Sequence, residues 1–242
     1  MAAAPLARPA TAQGPLTIGI DADTRGNEPD SLGSIEPCVS VATDDTFDID
    51  IFVQDVDELL AWEMYVEYDP AVLEITGRDV HMFLAANEGS VVLDVSASLP
   101  NRDGLYRAAA ADTSDPPTPD SGSGVLLRLT LRAIQAGTSE VNLAVLDIND
   151  DEVVDLGPLL RDVDSRILGD SDDNGIFDGA IENAEIVVDE ESDCPGLSPE
   201  LAPDGNSTNW TLVAIASAAG ALGVAIAAVA VRRLLKRRRS LQ

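Results

Sequence analysis

Between residues 59 and 77 the side chains keep a period of two until a proline breaks it. Trp62, Met64, Val66 and Tyr68 fall on one face, and Glu63, Tyr65 and Glu67 on the other. That alternation specifies a strand with one face on a core and one towards water. Asp69-Pro70 ends it, because proline fixes its own φ, donates no ladder hydrogen bond and pushes the residue before it out of helical geometry. Val72, Leu73 and Ile75 resume an apolar run, and Gly77 is expected to stop it.

The same period recurs along the chain. Phe47, Ile49, Ile51 and Val53 alternate with Asp48, Asp50 and Phe52. Val125, Leu127, Leu129, Leu131 and Ala133 alternate with Arg128, Thr130 and Arg132, followed by Val141, Leu143 and Val145. Shorter candidates are 16–20, 91–95, 105–111 and 184–188. Residues 21–37 and 112–124 are rich in Gly, Pro, Asp and Ser and read as loops, and 79–87 has room for one irregular helical turn. About nine short strands separated by turn signals indicate an all-β sandwich. Trp62, Met64, Val66, Leu127, Leu129 and Leu131 are expected in one core.

The run Tyr68-Asp69-Pro70-x-Val72-Leu73-Glu74, with a strand before it and the 122–131 run after it, resembles the signature of cohesin domains. It is also similar to the related carbohydrate-binding modules of bacterial cellulose-degrading systems. The likeness covers roughly residues 39–188. It implies a jelly-roll β-sandwich and a binding function, with polysaccharide or a dockerin-type protein module as ligand.

Charge narrows the partners. The chain of 242 residues carries 43 acids against 15 bases. Six of those bases (Arg232, Arg233, Lys236, Arg237, Arg238 and Arg239) lie in the last eleven residues. The remainder holds nine arginines and no lysine. Such a surface repels nucleic acid and attracts cations. Adaptation of the surface to high salt explains the same composition.

The ends read differently from the middle. Ala10-Thr11-Ala12 resembles the end of a secretory signal, so residues 1–13 are either a signal remnant or a disordered tail. Residues 14–190 hold the sandwich, and 191–209 form an outer linker with two glycosylation patterns at Asn206 and Asn209. Residues 210–231 carry no charge. As a helix they span roughly 33 Å, about one hydrocarbon core. The basic segment 232–242 follows at once. By the positive-inside rule the tail is cytoplasmic and the sandwich is displayed outside a single-pass membrane anchor. Cys38 and Cys194, the only cysteines, flank the sandwich. On the outer side a disulfide would persist and staple its two ends, the alternative being two free thiols.

No triad, nucleophile elbow, P-loop or zinc set is present, and His81 is the sole histidine. The chain reads as a binding protein, not an enzyme. Its one repeated chemical pattern is acidic: Asp147, Asn149, Asp151 and Asp155, then Asp170, Asp172, Asn174 and Asp178, 23 residues on. Alternate oxygen ligands on a tight turn suit Ca²⁺, and Gly175 and the Ile176 carbonyl would complete the second copy. Two such loops also resemble dockerin, but Gly157-Pro158 and the strand pattern at 185–188 leave no room for the two helices. The expectation is therefore a structural calcium ion in turns of the sandwich, against solvated aspartates without metal. With aromatics at 4%, Tyr65 and Tyr106 are the candidates to face outward for sugar stacking. The alternative to a binding module is a structural adhesin or envelope stalk without a specific ligand.

Overall fold

The computed structural model describes residues 15–145, 157–173 and 175–197. The signal-like start, the first acidic copy (Asp147, Asn149, Asp151 and Asp155), Asn174, most of the linker, the apolar segment and the basic tail lie outside the described residues. Among the described residues there are twelve strands and one 3-10 turn at Phe83–Ala85. No helix among them is long and apolar enough to cross a membrane.

The strands are β1 (Thr17–Asp21), β2 (Cys38–Val41), β3 (Thr46–Leu59), β4 (Ala61–Glu67), β5 (Leu73–Asp79) and β6 (Val92–Asp94), then β7 (Leu105–Asp112), β8 (Asp120–Ala133), β9 (Gly137–Leu143), β10 (Leu159–Arg161), β11 (Ala180–Glu182) and β12 (Ala184–Val188). They form two sheets. One runs β11-β1-β3-β8-β5. The other runs β2-β12-β9-β4-β7-β6, with β10 also on β4. β1 pairs parallel with β11, and β2 parallel with β12, so the first two and the last two described strands meet, one pair in each sheet.

The inward phases meet as their alternation demands. Trp62, Met64 and Val66 from β4 share one cluster with Leu127, Leu129 and Leu131 from β8. The cohesin-like run is the corner between the sheets. Tyr68 Oη donates to the Asn101 carbonyl at 2.8 Å. The Asp69 carboxylate accepts the Ala71 amide at 2.8 Å, and its carbonyl accepts the Leu73 amide at 2.9 Å. The chain thereby leaves β4 in one sheet and enters β5 in the other, burying Val72 and Leu73. Glu74 is fixed by Arg102 at 2.6 Å and Arg132 at 2.9 Å, and the Arg102 hydrogen bond leads in holding its carboxyl below the usual range.

Several expectations are corrected. β5 continues past Gly77 to Asp79 on an irregular register with β8, so the glycine bends the strand and does not stop it. β9 ends at Leu143, and Val145 beyond it is exposed. Phe52, placed on the polar phase, is fully buried. A register shift falls between Ile51 and Phe52, and the ring packs over Gly19, where a Cβ would sit 2.5 Å from it. The loop after β1 covers this outer face: a Cβ on Gly124 would sit 2.1 Å from the Pro29 carbonyl oxygen. Beneath the loop, the Asn27 amide bridges Asp21 at 2.8 Å and Asp50 at 3.1 Å, and Arg128 pairs with Asp50 at 2.7 Å. Burial raises the pKa of both Asp21 and Asp50. The loop is thus an integral third layer.

The expected disulfide is formed. Cys38 on β2 and Cys194 after β12 are bonded, with Cα atoms 5.5 Å apart and a sequence separation of 156. In the chain-entropy model a loop of that length stabilises by up to about 5 kcal/mol. Reduction, or Cys194→Ser, is expected to lower the denaturation midpoint by a large part of that figure, and an unchanged midpoint would show the bridge to be idle. Trp62→Ala is expected to cost about 3–5 kcal/mol in a denaturant melt. A melt unaltered by that substitution would contradict the inward placement of the indole.

Candidate functional site

Two places on the sandwich have the character of a site. The first is the turn between β10 and β11. Gly169 and Gly175 adopt positive φ and fold the chain back sharply. Phe177 is buried and fastens the turn to the core, and the Asp178 amide donates to the Gly169 carbonyl at 2.7 Å. The carboxylates of Asp170, Asp172 and Asp178 are gathered so that one oxygen from each lies within 4.8 Å of the others. Asp178 and Asp172 are exposed, Asp170 is half-buried, and Ile176 lies in the same turn. Asp178 accepts the Ser171 hydroxyl at 2.7 Å and amide at 2.9 Å, and the hydroxyl leads in lowering its pKa. Asp170 accepts the Gly175 amide at 2.8 Å. Three of the sequence-predicted oxygen ligands of the second copy are therefore brought together.

A cleft of about 540 Å³ adjoins this turn, walled by Arg161, Arg166, Leu168, Asp170 and Asp173. Its other rim is the hairpin after β10. There Asp162 accepts the amides of Asp164 at 2.8 Å and Arg166 at 2.9 Å.

The second place is the outer face of β6, β7, β4 and β10. Pairing puts Leu93 opposite Ala111, Ala61 opposite Ala111, and Leu159 opposite Glu63. The outward residues of β7 include Ala109 and Ala111, which give the face a low floor. Along the edge strand and its flanks, Val91, Leu93 and Val95 are 57%, 51% and 45% exposed. These side chains share one phase and rise beside that floor. Val95, with Glu63, Leu159, Arg161 and the alanine floor, lines a shallow cleft of about 220 Å³. Arg107 pairs with Glu63 at 2.8 Å and donates to the Val95 carbonyl at 2.8 Å, which ties the polar part of the face down.

The expected outward tyrosine is corrected here. Tyr106 is fully buried, because its strand phase joins Ala108 and Ala110 in the core. Its hydroxyl is met by Arg78 at 3.0 Å. Trp62 and Tyr68 are buried as their phase requires, and Phe47, Phe52, Phe83 and Phe177 are buried too. Among the described residues the exposed large hydrophobics are all aliphatic. The aliphatic stripe was missed in the sequence because 91–95 is short. Its one signal was three apolar residues at spacing two that outnumber the polar ones.

The model of the Cohesin domain family matches residues 37–162. No curated protein matches the chain. Among solved structures, a non-cellulosomal cohesin from the archaeon Archaeoglobus fulgidus is similar at 13% identity, covering 73% of this chain and 93% of its own, with a TM-score of 0.45. A type II cohesin domain from the cellulosome of Acetivibrio cellulolyticus is similar at 14% identity, covering 72% and 95%, with a TM-score of 0.48. A type I cohesin–dockerin complex from Clostridium thermocellum gives 12% identity, 75% and 98% coverage and a TM-score of 0.47. With just over half of its length matched by the family model, the chain belongs to the cohesin domain family.

Proposed function

We propose that this chain is a non-catalytic binding module that docks a dockerin-type protein on the outer face of β6, β7 and β4. The observation that carries the reading is the exposed stripe Val91, Leu93 and Val95 beside the alanine floor. Exposed aliphatic side chains on a flat sheet gain most from a close-packed protein surface, which removes them from water at ~25 cal/mol per Å². Sugars instead need planar aromatic platforms, and the aromatics of this face are buried apart from the half-buried Tyr65. Binding of dockerin modules by members of the cohesin family supports the protein ligand. Display outside the cell, through the charge-free segment 210–231, fits a module that meets secreted partners.

The test is capture of dockerin-type modules beside capture by insoluble polysaccharides. Leu93→Asp is expected to weaken the protein interaction by about tenfold or more. It should leave the melting temperature almost unchanged, since Leu93 is half exposed. Retention on polysaccharide with no protein capture would overturn the reading, and binding to neither would return the chain to the class of stalks.

The gathered carboxylates of Asp170, Asp172 and Asp178, with Asn174 and the Ile176 carbonyl, are proposed as a structural Ca²⁺ site that ties β11 to β1. Three carboxylates this close repel one another, and a hard oxygen-seeking cation turns that repulsion into ligation. Asp147, Asn149, Asp151 and Asp155 are proposed as a second site of the same chemistry. Ca²⁺ at a hundredfold excess over its Kd is expected to stabilise the fold by ~2.7 kcal/mol. Asp172→Ala should abolish most of that gain. Equal stabilisation by NaCl at matched ionic strength would reduce the effect to screening.

A further inference from the structure

Asp120 and Asp112 form a second acidic pair, one that the docking face and the calcium turn do not use. Asp112 ends β7 and Asp120 begins β8, and both are buried. Their surroundings differ. Asp112 is saturated: Oδ1 accepts the amides of Val91 at 2.8 Å and Ser114 at 2.9 Å, and Oδ2 accepts the hydroxyls of Ser114 at 2.9 Å and Thr118 at 2.6 Å. Asp120 Oδ2 is buried and has no hydrogen-bond partner. A buried polar atom without a partner is costly, and a buried charge without one far more so.

A metal ion does not fit here, since the lone pairs of Asp112 are committed to four donors. A proton does fit, because it needs one oxygen.

What Asp112 holds is the start of the edge strand. Its Oδ1 fixes the Val91 amide, and the Thr113 amide returns to the Val91 carbonyl at 2.8 Å. Thr118 reaches the same carboxylate, and its hydroxyl also lies 3.0 Å from that of Ser90. The Asn87 amide donates to the Pro119 carbonyl at 3.2 Å, next to Asp120. The loop 113–119 and the segment 87–91 are thus joined through Asp112, with Asp120 at the root of that loop.

We propose that Asp112 and Asp120 form a proton-operated latch on β6: protonated Asp120 leaves the clamp closed, and ionised Asp120 repels Asp112 and releases the segment that begins the strand. Burial first, and then the Asp112 charge, push the pKa of Asp120 up from 3.8 to about 6. Asp112 goes the other way, to about 2, because its donors outweigh its burial. The signs follow. The raised Asp120 contributes stability that is fully present below 3.8 and lost as pH rises through about 6. The lowered Asp112 contributes stability present above 3.8 and lost as pH falls through about 2. The clamp is firmest between these limits and loosens at neutral pH. Of the other charged groups on the neighbouring segments, Asp57 and Glu58 at the end of β3, Glu88 before β6 and Asp115 in the loop are exposed, Asp55 on β3 is half-buried, Asp94 on β6 is paired with Arg78 at 2.7 Å, and Arg161 on β10 donates to the Ser165 carbonyl at 2.9 Å. The latch does not depend on what docks on the face.

Amide hydrogen exchange of the full chain between pH 5.0 and 7.5, corrected for intrinsic exchange, tests it. Peptides spanning 88–97 should lose protection as pH crosses about 6. The step from 3.8 to about 6 allows about a hundredfold in all, of which about tenfold falls above pH 5.0, with a level profile above about 6. Peptides from β12 should stay level. Asp120→Asn should abolish the slope and keep 88–97 protected at pH 7.5, with Asp120→Ser as the second variant should the first not fold. A level wild-type profile, a slope shared by β12, or an unaltered slope in either variant would overturn the proposal.

Discussion

Everything in the sandwich is hung on β4. It joins three strands of its sheet: β7 along its whole length on one side, and β9 and β10 at opposite ends of the other. Its inward side chains, Trp62, Met64 and Val66, pack towards Leu127, Leu129 and Leu131 of β8, which is itself central between β3 and β5. Side chains at alternate positions of two facing strands must interdigitate to exclude water, so the phase of each fixes that of the other. A slip of one residue in β4 would send Glu63, Tyr65 and Glu67 into the core. The corner at Asp69-Pro70 follows directly, because the chain has to leave one sheet at a defined phase to enter the other.

That constraint explains which parts of the structure are legible in the sequence. β4, β8 and the first half of β3 announce themselves through four or more alternate apolar positions, and they hold the core. The cohesin-like corner is legible because Tyr68, Asp69 and Pro70 each have a backbone job that few other residues can do. β2, β10 and β11 are not legible. They have three or four residues each, too few for a period to show, and they exist because longer neighbours offer them an edge. Phe52 fails for another reason: its burial is decided by a register shift and by a covering loop, and neither leaves a mark in local alternation. Tyr106 shares the inward phase of Ala108 and Ala110, a phase that the alanines on both faces of β7 do not announce. Of the candidate sites, the acidic turn could be read from spacing. The aliphatic face could not, because it is made by β6, β7, β4 and β10, which are distant in the chain.

The chain carries far more carboxylates than cations, and the fold handles them in three ways. Seven arginines are set against acids, including Arg128 on the buried Asp50 and the pair Arg102 and Arg132 on Glu74. Other carboxylates receive backbone amides and hydroxyls, as Asp69, Asp112 and Asp162 do, and these make the turns. Both solutions occupy lone pairs of the acid, and at Asp112 all four are taken.

The third group differs in what is left over. At Asp170, Asp172 and Asp178 the surplus charge is at the surface, where solvent screens it and a hydrated cation can enter. At Asp120 the surplus is one buried oxygen between two strands. The same excess of acid thus has two distinct outlets, decided by access. Under the proposed calcium site the open cluster would answer to the concentration of a divalent ion, and under the proposed latch the closed carboxyl would answer to pH. The first would act on β11 and the second on the start of β6, which are edge strands of different sheets. Within the central strands Asp50 of β3 is held by Arg128 of β8, and Glu63 of β4 by Arg107, so these charges stand apart from both edges.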